Sequence, residues 1–565
     1  MVAARATLRL GRRGARRWIA NHFACLLVVL LVPAGASAAL AWQPPQLVSG
    51  VPAFDPTIVM SDSGHALAVW LEGDLDDGDE VRRYAWRSPH GGWGASQVVP
   101  GAPRGPVAVD LSSYGEATLA YGLADGRIAI SKSRAGQTLS QTETLPGPKP
   151  ILPTATSPVA LAVDDEGGAT VAWIALPKLF AASRVPGGRF GKPQKLEGLG
   201  VFNLSIAVNP AGAAVVTWGV GSAGIEAAYR LPGETRFGRT ERVPALPNLG
   251  GRPLAAVKAD GTAIVASSGA NGDNTAATGV TFSERSPVGK FQAAQRVDVN
   301  GELQALVAEP QSASSFVSNV GGVGGPMTIA TRTVAGLLGA PTLLSSSDSC
   351  EAQAATNPLG LLVVAYSRPC VRNFQAGVNP GVEVRRRDGA GAFDEPVTLT
   401  TGGQTPDVAI NGSGDAIVAW PQGAPARTAI VSSAFEDPAA AVSGPIKPVI
   451  GGGSKPVVTL PGVGDPIGLP VTCPVACSVT PEGIITTDGK PRARSMTAGK
   501  RRLRTRKRTQ VRVRFSKTRL RQARRALKRG DPATISYTVA FRRRSGSKAA
   551  LSFSRRVRLK LPRSR

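Results

Sequence analysis

Histidine is nearly missing from this sequence, with three in 565 residues. Beyond the leading segment only His65 and His90 remain, and no Gly-x-Ser-x-Gly elbow accompanies either, so a Ser–His nucleophilic pair has little to build on. His65 falls in a turn and His90 in a hairpin loop, and both read as surface residues. Cysteine is almost as scarce, at five, and no two cysteines have the Cys-x-x-Cys spacing of a zinc site. The one pronounced apolar run, Phe23 to Val32, is shorter than the roughly 20 residues a membrane-spanning helix needs. Long helices are disfavoured by 66 glycines and 45 prolines, which interrupt the chain too often for them. Neither a metal nor a cofactor is expected.

Acidic residues are nearly absent from one region in particular. The chain carries a net charge of +27, and residues 488–565 alone hold 29 Lys and Arg against 2 Asp and Glu. The other 487 residues therefore balance, with 37 of each sign, and six of their positive charges are arginines in the first seventeen positions. The high isoelectric point belongs to the two ends of the chain and not to its body.

Those first arginines (Arg5, Arg9, Arg12, Arg13, Arg16, Arg17) form a positive segment ahead of the short apolar run, and Ala34, Ala36 and Ala38 offer small-residue cleavage positions. This is the pattern of a secretory signal peptide, expected over residues 1–38. Four cysteines follow it: Cys350, Cys370, Cys473 and Cys477. An even number in an exported chain points to two disulfides, expected as Cys350–Cys370 and Cys473–Cys477.

The middle of the chain repeats. Asp164-Asp-Glu-Gly167-Gly-Ala169-Thr-Val-Ala-Trp173 has counterparts ending at Trp70, Trp218 and Trp420, and weaker ones ending at Tyr121, Ser267 and Tyr366. The last residue of each copy lies six positions after the glycine, and successive glycines are 51, 52, 45, 49, 99 and 54 residues apart. The gap of 99 holds two periods, so a degenerate copy is expected near residue 311, within Leu303 to Val317. Each copy reads as a β-hairpin around an Asp/Asn-x-x-Gly turn, written Asp62-x-Gly64 in the first copy, where glycine supplies positive φ. A second hairpin follows in most units, as in Val81 to Arg87 with Gly92-Trp-Gly94. Four short strands in 40–50 residues match a propeller blade, and eight units are expected. Trp42 to Val48 reads as an outermost strand with no blade before it, and the last unit lacks that strand. The N-terminal strand is therefore expected to complete the last blade and close the ring.

These units resemble a family of exported bacterial propeller repeats of the form Asp-x-x-Gly-x-Ala-x-Val-Ala-Trp followed by Gly-Gly-x-Trp/Phe-Gly. The resemblance covers residues 42–434 and implies the fold without an activity. The sialidase box is not matched, since there the Trp follows the glycine by three residues.

After a Gly- and Pro-rich linker at 441–468, residues 469–565 alternate apolar and basic residues and include a helical stretch ending at Arg529 with Leu520, Ala523 and Leu527 on one face. The expectation is a basic β-sandwich with one short helix, resembling the Ig-like domains that end many such exported proteins. The chain as a whole is expected to be all-β: signal peptide 1–38, propeller 39–440, linker 441–468 and basic domain 469–565.

Arg501, Arg502, Arg504, Arg506, Lys507, Arg508, Arg521, Arg524, Arg525 and Lys528 are the expected contacts for an anionic cell-wall polymer or lipid headgroups, with nucleic acid secondary in an exported protein. The propeller is expected to act as a monomer that presents loops to a protein or a glycan. The alternative is a carbohydrate-active enzyme of propeller type, with Asp62, Asp110, Asp164, Asp260 or Asp415 as acids, although Asp at a repeated turn is first a turn residue. The acidic run Asp74 to Glu80 could hold Ca²⁺ but lacks the EF-hand register. Trp70, Trp173, Trp218 and Trp420 read as packing residues and not as a sugar-stacking set.

Overall fold

The computed structural model describes most of residues 41–436, excluding 74–79, 147–158, 247–251, 271–276, 371–379, 424–427 and shorter stretches, and beyond 448 it describes strands up to residue 560 and one helix. The expected signal peptide lies outside the described residues.

Eight antiparallel four-stranded sheets follow one another along the chain. The first consists of Ala53–Met60, Ala66–Glu72, Val81–Arg87 and Gln97–Val98, paired in that order from the innermost strand outward. The degenerate unit is the sixth, with Gly301–Ala308 and Ser314–Val320 as its inner hairpin. In the eighth sheet Asp407–Ile410, Ala416–Gln422 and Ala429–Phe435 are completed by Gln46–Leu47 from the N-terminal side. The register sets Gln46 opposite Ser432, and Val48 N donates to Ile430 O at 2.8 Å. Ala53–Met60 packs against Asp407–Ile410, so the innermost strands form a closed circle. The chain is an eight-bladed β-propeller.

The repeated Trp explains why the blades stack. Trp70, Trp173, Trp218 and Trp420 are at most 1% exposed. Each reaches the preceding blade: Trp218 packs with Ala172, Ile174 and Ala181 of blade 3, and Trp70 with Ile417 and Ile430 of blade 8. Tyr121 and Tyr366 do the same in blades 2 and 7. Blade 6 has Ser318 at this position, and there Phe282 and Phe316 meet at 4.8 Å to fill the gap from blade 5. Sheets that twist cannot mate flat, and in most blades a large side chain from the second strand fills the wedge against the blade before it.

The turns differ from the expected Asp or Asn in several copies, with Ser112 in that place in blade 2 and Lys258 in blade 5. Asp164, Asn209, Asn357 and Asn411 each accept from backbone N–H groups two and four residues on. In blade 1 this place belongs to Ser61, whose carbonyl accepts from Gly64 N at 2.9 Å. Asp62, read as the turn residue, instead accepts from Gly412 N of blade 8 at 2.8 Å. It was one position out of register with the other copies, and a serine hydroxyl can do the same local work. Gly64, Gly167 and Gly212 sit at φ of +84°, +85° and +83°, where a Cβ is strained.

Neighbouring strands run antiparallel, so in every blade the turn between strands one and two shares one end with the turn between strands three and four. The other connections emerge at the opposite end, called here the loop end.

The C-terminal segment holds two sheets. Val449–Ile450, Ile467–Thr472 and Thr509–Val513 form the smaller, and Val457–Thr459, Leu551–Lys560, Ala533–Arg543, Cys477–Thr487 and Lys490–Arg494 lie along the larger, with Arg501–Leu503 also pairing Cys477–Thr487. Two of these strands fall within 441–468, so the stretch read as linker contributes to the sheets. The helix spans Lys517–Lys528. It buries Leu520, Ala523 and Ala526, with Leu527 half-buried, so the apolar face turns one position away from the one expected.

Candidate functional site

The bore of the ring is aliphatic. A cavity of about 380 Å³ is lined by Ile58, Ala207, Ala256, Leu306, Ala355 and Val408 among others, with Asp110 as its carboxylate. Both carboxylate oxygens of Asp110 already accept backbone hydrogen bonds. Its Oδ2 accepts from Val163 N of blade 3 at 2.7 Å and its Oδ1 from Leu111 N at 2.7 Å. Asp407 repeats this between blades 8 and 1, accepting from Ile58 N at 2.8 Å and Val408 N at 2.9 Å. The Ser205 hydroxyl accepts from Ala255 N at 3.2 Å between blades 4 and 5. Innermost strands of different blades are not joined as a sheet, so these side chains satisfy N–H groups that would otherwise be orphaned. Burial pushes Asp110 up to about 7 and Asp407 up to about 6, with the accepted N–H bonds opposing the rise.

Of the other acids considered for catalysis, Asp62 bonds to blade 8 and the remaining three close turns. Asp164 accepts from Gly168 N at 2.7 Å, and burial raises it to about 6. Asp260 accepts from Thr262 N at 2.8 Å, and Asp415 from the Asn411 amide at 2.7 Å. Of the five acids, Asp110 alone lines the bore. His65 hydrogen-bonds Ser63 within its own turn at 3.1 Å, and His90 is exposed at a positive φ of 52°. The run Asp74 to Asp79 lies outside the described residues.

A further set of inter-blade contacts is made by arginines that the repeat pattern above does not include. Seven of the eight third strands end in arginine, at 87, 134, 184, 230, 285, 332 and 387. Six of them reach toward the preceding blade: Arg87 to Glu436 at 2.6 Å, Arg184 to Thr118 at 2.8 Å, Arg230 to Thr170 at 3.0 Å, Arg285 to Glu241 at 3.1 Å, Arg332 to Glu284 at 2.9 Å, and Arg387 to Glu309 at 2.6 Å. An aromatic ring follows at short spacing and several guanidiniums lie over it, as Arg184 does over Phe190 at 5.4 Å. The signal was present as Arg87-x5-Trp93, Arg285-x5-Phe291 and Arg387-x5-Phe393. These arginines belong to the scaffold.

At the loop end, blade 7 carries a cavity of a different kind. It measures about 410 Å³ and is lined by Asp348, Arg368, Pro369, Gly381, Glu383, Thr398, Thr400 and Thr401. The Cys350–Cys370 disulfide forms as expected and ties together the start of the innermost strand and the end of the second. The Arg368–Pro369 bond is cis, and Cys370 N donates to Asp348 O at 2.9 Å. Arg368 pairs with Glu383 at 3.1 Å. None of these lining residues was singled out from the sequence.

For the expected polymer-binding residues, Arg521, Arg525 and Lys528 are exposed on the helix and Arg524 is half-buried. Arg501 and Arg502 belong to the strand Arg501–Leu503, opposite Val479 and Ser478. Arg504, Arg506, Lys507 and Arg508 lie outside the described residues, as does Cys473 of the second expected disulfide; Cys477 opens the strand Cys477–Thr487.

Among the described residues no helix is long and apolar enough to cross a membrane, and no His, Cys, Asp and Glu cluster is arranged to hold a metal ion. No family model and no curated protein matches the chain. Among solved structures it is similar to the BP39L lectin of Burkholderia pseudomallei, at 14% identity over 64% of this chain and 100% of that one, with a TM-score of 0.42. It is also similar to a protein of unknown function from Dyadobacter fermentans (12%, 70% and 98%, TM-score 0.37) and to an ulvan lyase of a new polysaccharide lyase family (10%, 58% and 91%, TM-score 0.38).

Proposed function

We propose that this chain is an exported, non-catalytic binding protein whose propeller presents its loop end to a protein or a glycan, while its cationic C-terminal domain associates with anionic polymers or lipid headgroups of the cell envelope. The partition of charge carries this reading: 29 basic residues against 2 acidic ones in residues 488–565, beside a balanced remainder. A field of that sign draws in polyanions and weakens with salt. On the helix, exposed Arg521 and Arg525 are one turn apart, which gives the field a face. The disulfide in blade 7 suits an oxidising compartment outside the cytoplasm. In the propeller, the acids weighed for hydrolysis are taken up by turns and inter-blade bonds, which favours recognition over turnover.

The test is retention of the full-length protein on cell-wall material and on vesicles rich in phosphatidylglycerol across a salt series. Retention should fall steeply with salt and be reduced by the triple variant Arg521→Glu, Arg525→Glu, Lys528→Glu. Equal retention of the variant at every salt concentration removes the envelope role. A truncation should begin before residue 449, because a cut at 488 would strip Cys477–Thr487 of its neighbour Ala533–Arg543.

A further inference from the structure

We propose that the larger sheet of the C-terminal domain carries, on one face, a binding lane for a linear phosphodiester polymer whose repeating units are polyols, such as a glycerol phosphate chain. This rests on the envelope association argued above and names the ligand class and the surface that takes it.

The register sorts the residues of that sheet into two sets, because neighbours across a ladder share a face and successive residues along a strand alternate. Arg558 pairs with Thr534, Arg556 with Ser536 and Ser554 with Thr538. Thr534, Ser536 and Thr538 pair in turn with Thr486, Ile484 and Glu482, and Arg542 pairs with Ser478. Arg494 falls opposite Ile484, Arg502 opposite Ser478, and Lys560 opposite Thr459. These residues therefore share one face, with Glu482 as its acid. The alternate set holds Ile535, Tyr537, Val539, Phe541, Phe553 and Val557, with Arg555 opposite Tyr537. In an antiparallel sheet covered on one side, the apolar set is the one a core takes up, which leaves the basic and hydroxyl-bearing set for water or a ligand.

The layout is a lane. Arg556, Arg558 and Lys560 border it on one side, about 7 Å apart in succession along Leu551–Lys560. Arg494 and Arg502 border it on the other, on strands that pair with Cys477–Thr487. Between the borders run Ala533–Arg543 and Cys477–Thr487, whose members on this face are mostly serine and threonine.

The chemistry selects the class. Guanidinium groups pair with phosphate oxygens in a fork, and serine and threonine hydroxyls donate to the same oxygens. Like charges repeated along a strand match a ligand that repeats its own charge along a chain, and each phosphate neutralised releases counterions. The aromatic residues Tyr537, Phe541 and Phe553 belong to the opposite face, so the lane lacks the stacking platform that single-stranded nucleic acid uses. Beyond Ile484 and Val457 it also lacks the large apolar residues with which a surface inserts among lipid headgroups. What fits is a phosphate backbone without bases, whose polyol hydroxyls exchange hydrogen bonds with residues such as Ser536, Thr538 and Ser554.

The experiment uses the full-length chain. Affinity for a synthetic glycerol phosphate polymer is measured over a salt series, beside single-stranded DNA with the same number of phosphates and vesicles of phosphatidylglycerol. Two charge-matched triple variants are compared: Arg556→Gln, Arg558→Gln, Lys560→Gln on the sheet, and Arg521→Gln, Arg525→Gln, Lys528→Gln on the helix. The sheet triple should weaken polymer binding about tenfold and lower the slope of log affinity against log salt by about 2, while the helix triple weakens it no more than about threefold. Ser554→Asp, which sets an acid on the same face, should weaken binding about fivefold and serves if the sheet triple fails to fold. Equal loss in the two triples, binding untouched by Ser554→Asp, or tighter binding of DNA or vesicles than of the polymer overturns the proposal. Retention of the unaltered protein on cell-wall material separates the two readings: if it is salt-sensitive while the triples do not differ, the lane fails and the envelope association stands.

Discussion

The propeller and the C-terminal domain handle charge in opposite ways. In the propeller, basic residues are drawn inward and matched: Arg87, Arg184, Arg230 and Arg387 are at most 8% exposed, and each bonds to a carboxylate or a threonine hydroxyl. In the tail, the same residue type stands outward on the helix at 521 and 525 with almost no acid in the surrounding sequence. Arginine is thus a structural pin in one region and a source of field in the other. The lesson is that composition identifies neither role. Placement against an acid, or the lack of one, separates them.

Several substitutions can break this contrast, beginning with those of largest effect. Trp218→Ala empties the space between blades 3 and 4 and should cost about 3–5 kcal/mol, read as a lower unfolding midpoint in denaturant. Arg387→Met leaves Glu309, 8% exposed at its side chain, without its cation. A loss of about 3 kcal/mol is expected, and much of it should return in the double variant Arg387→Met, Glu309→Gln, because the cost lies in the uncompensated charge. If the double variant is no better than the single, the arginine acts by packing alone. Reduction, or Cys350→Ser, opens a 20-residue loop and should cost roughly 3 kcal/mol in the chain-entropy account, measured as melting with and without reductant.

The pH dependence comes next. Asp110 and Asp407 have folded values raised to about 7 and about 6 from 3.8. The folded protein therefore binds these protons more tightly than the unfolded chain. Their favourable contribution is complete below pH ~4 and is lost as pH rises through 6 and 7. Stability should decline from pH 5 to pH 8, and Asp110→Asn should flatten that decline. A steeper decline in the variant would show that the ionised form is the one the ring requires. The smallest effect on stability is expected for the helix variants Arg521→Glu and Arg525→Glu, within about 0.5 kcal/mol, since these side chains are exposed. A large loss of stability there would mean that the tail's arginines are also pins.

Much of the ring is legible in the sequence. The glycine-to-Trp spacing marks a strand pair, the double gap marks the hidden sixth blade, and the stray N-terminal strand marks closure. These features recur, and recurrence lifts a weak local pattern above chance. The bond of Cys350 to Cys370 was legible because few alternatives existed. The blade 7 cavity was not legible, for the converse reason. Asp348, Arg368, Glu383 and Thr398 occupy unlike positions in the repeat and meet only because three strands end together. The inter-blade role of Asp110 was hidden too, since a carboxylate beside a turn looks the same whether it binds its own chain or the next blade.

The way the ring is sealed has a consequence for how the protein comes into being. Gln46–Leu47 finds its place only against Ala429–Phe435, some 380 residues further along. During synthesis, the earliest part of the future ring must stay unengaged until nearly all the rest has emerged. Seven blades can assemble in order of appearance, but the eighth joins the first-made piece to the last. A chain cut short anywhere before residue 429 therefore lacks the partner of Gln46–Leu47 and keeps an open edge.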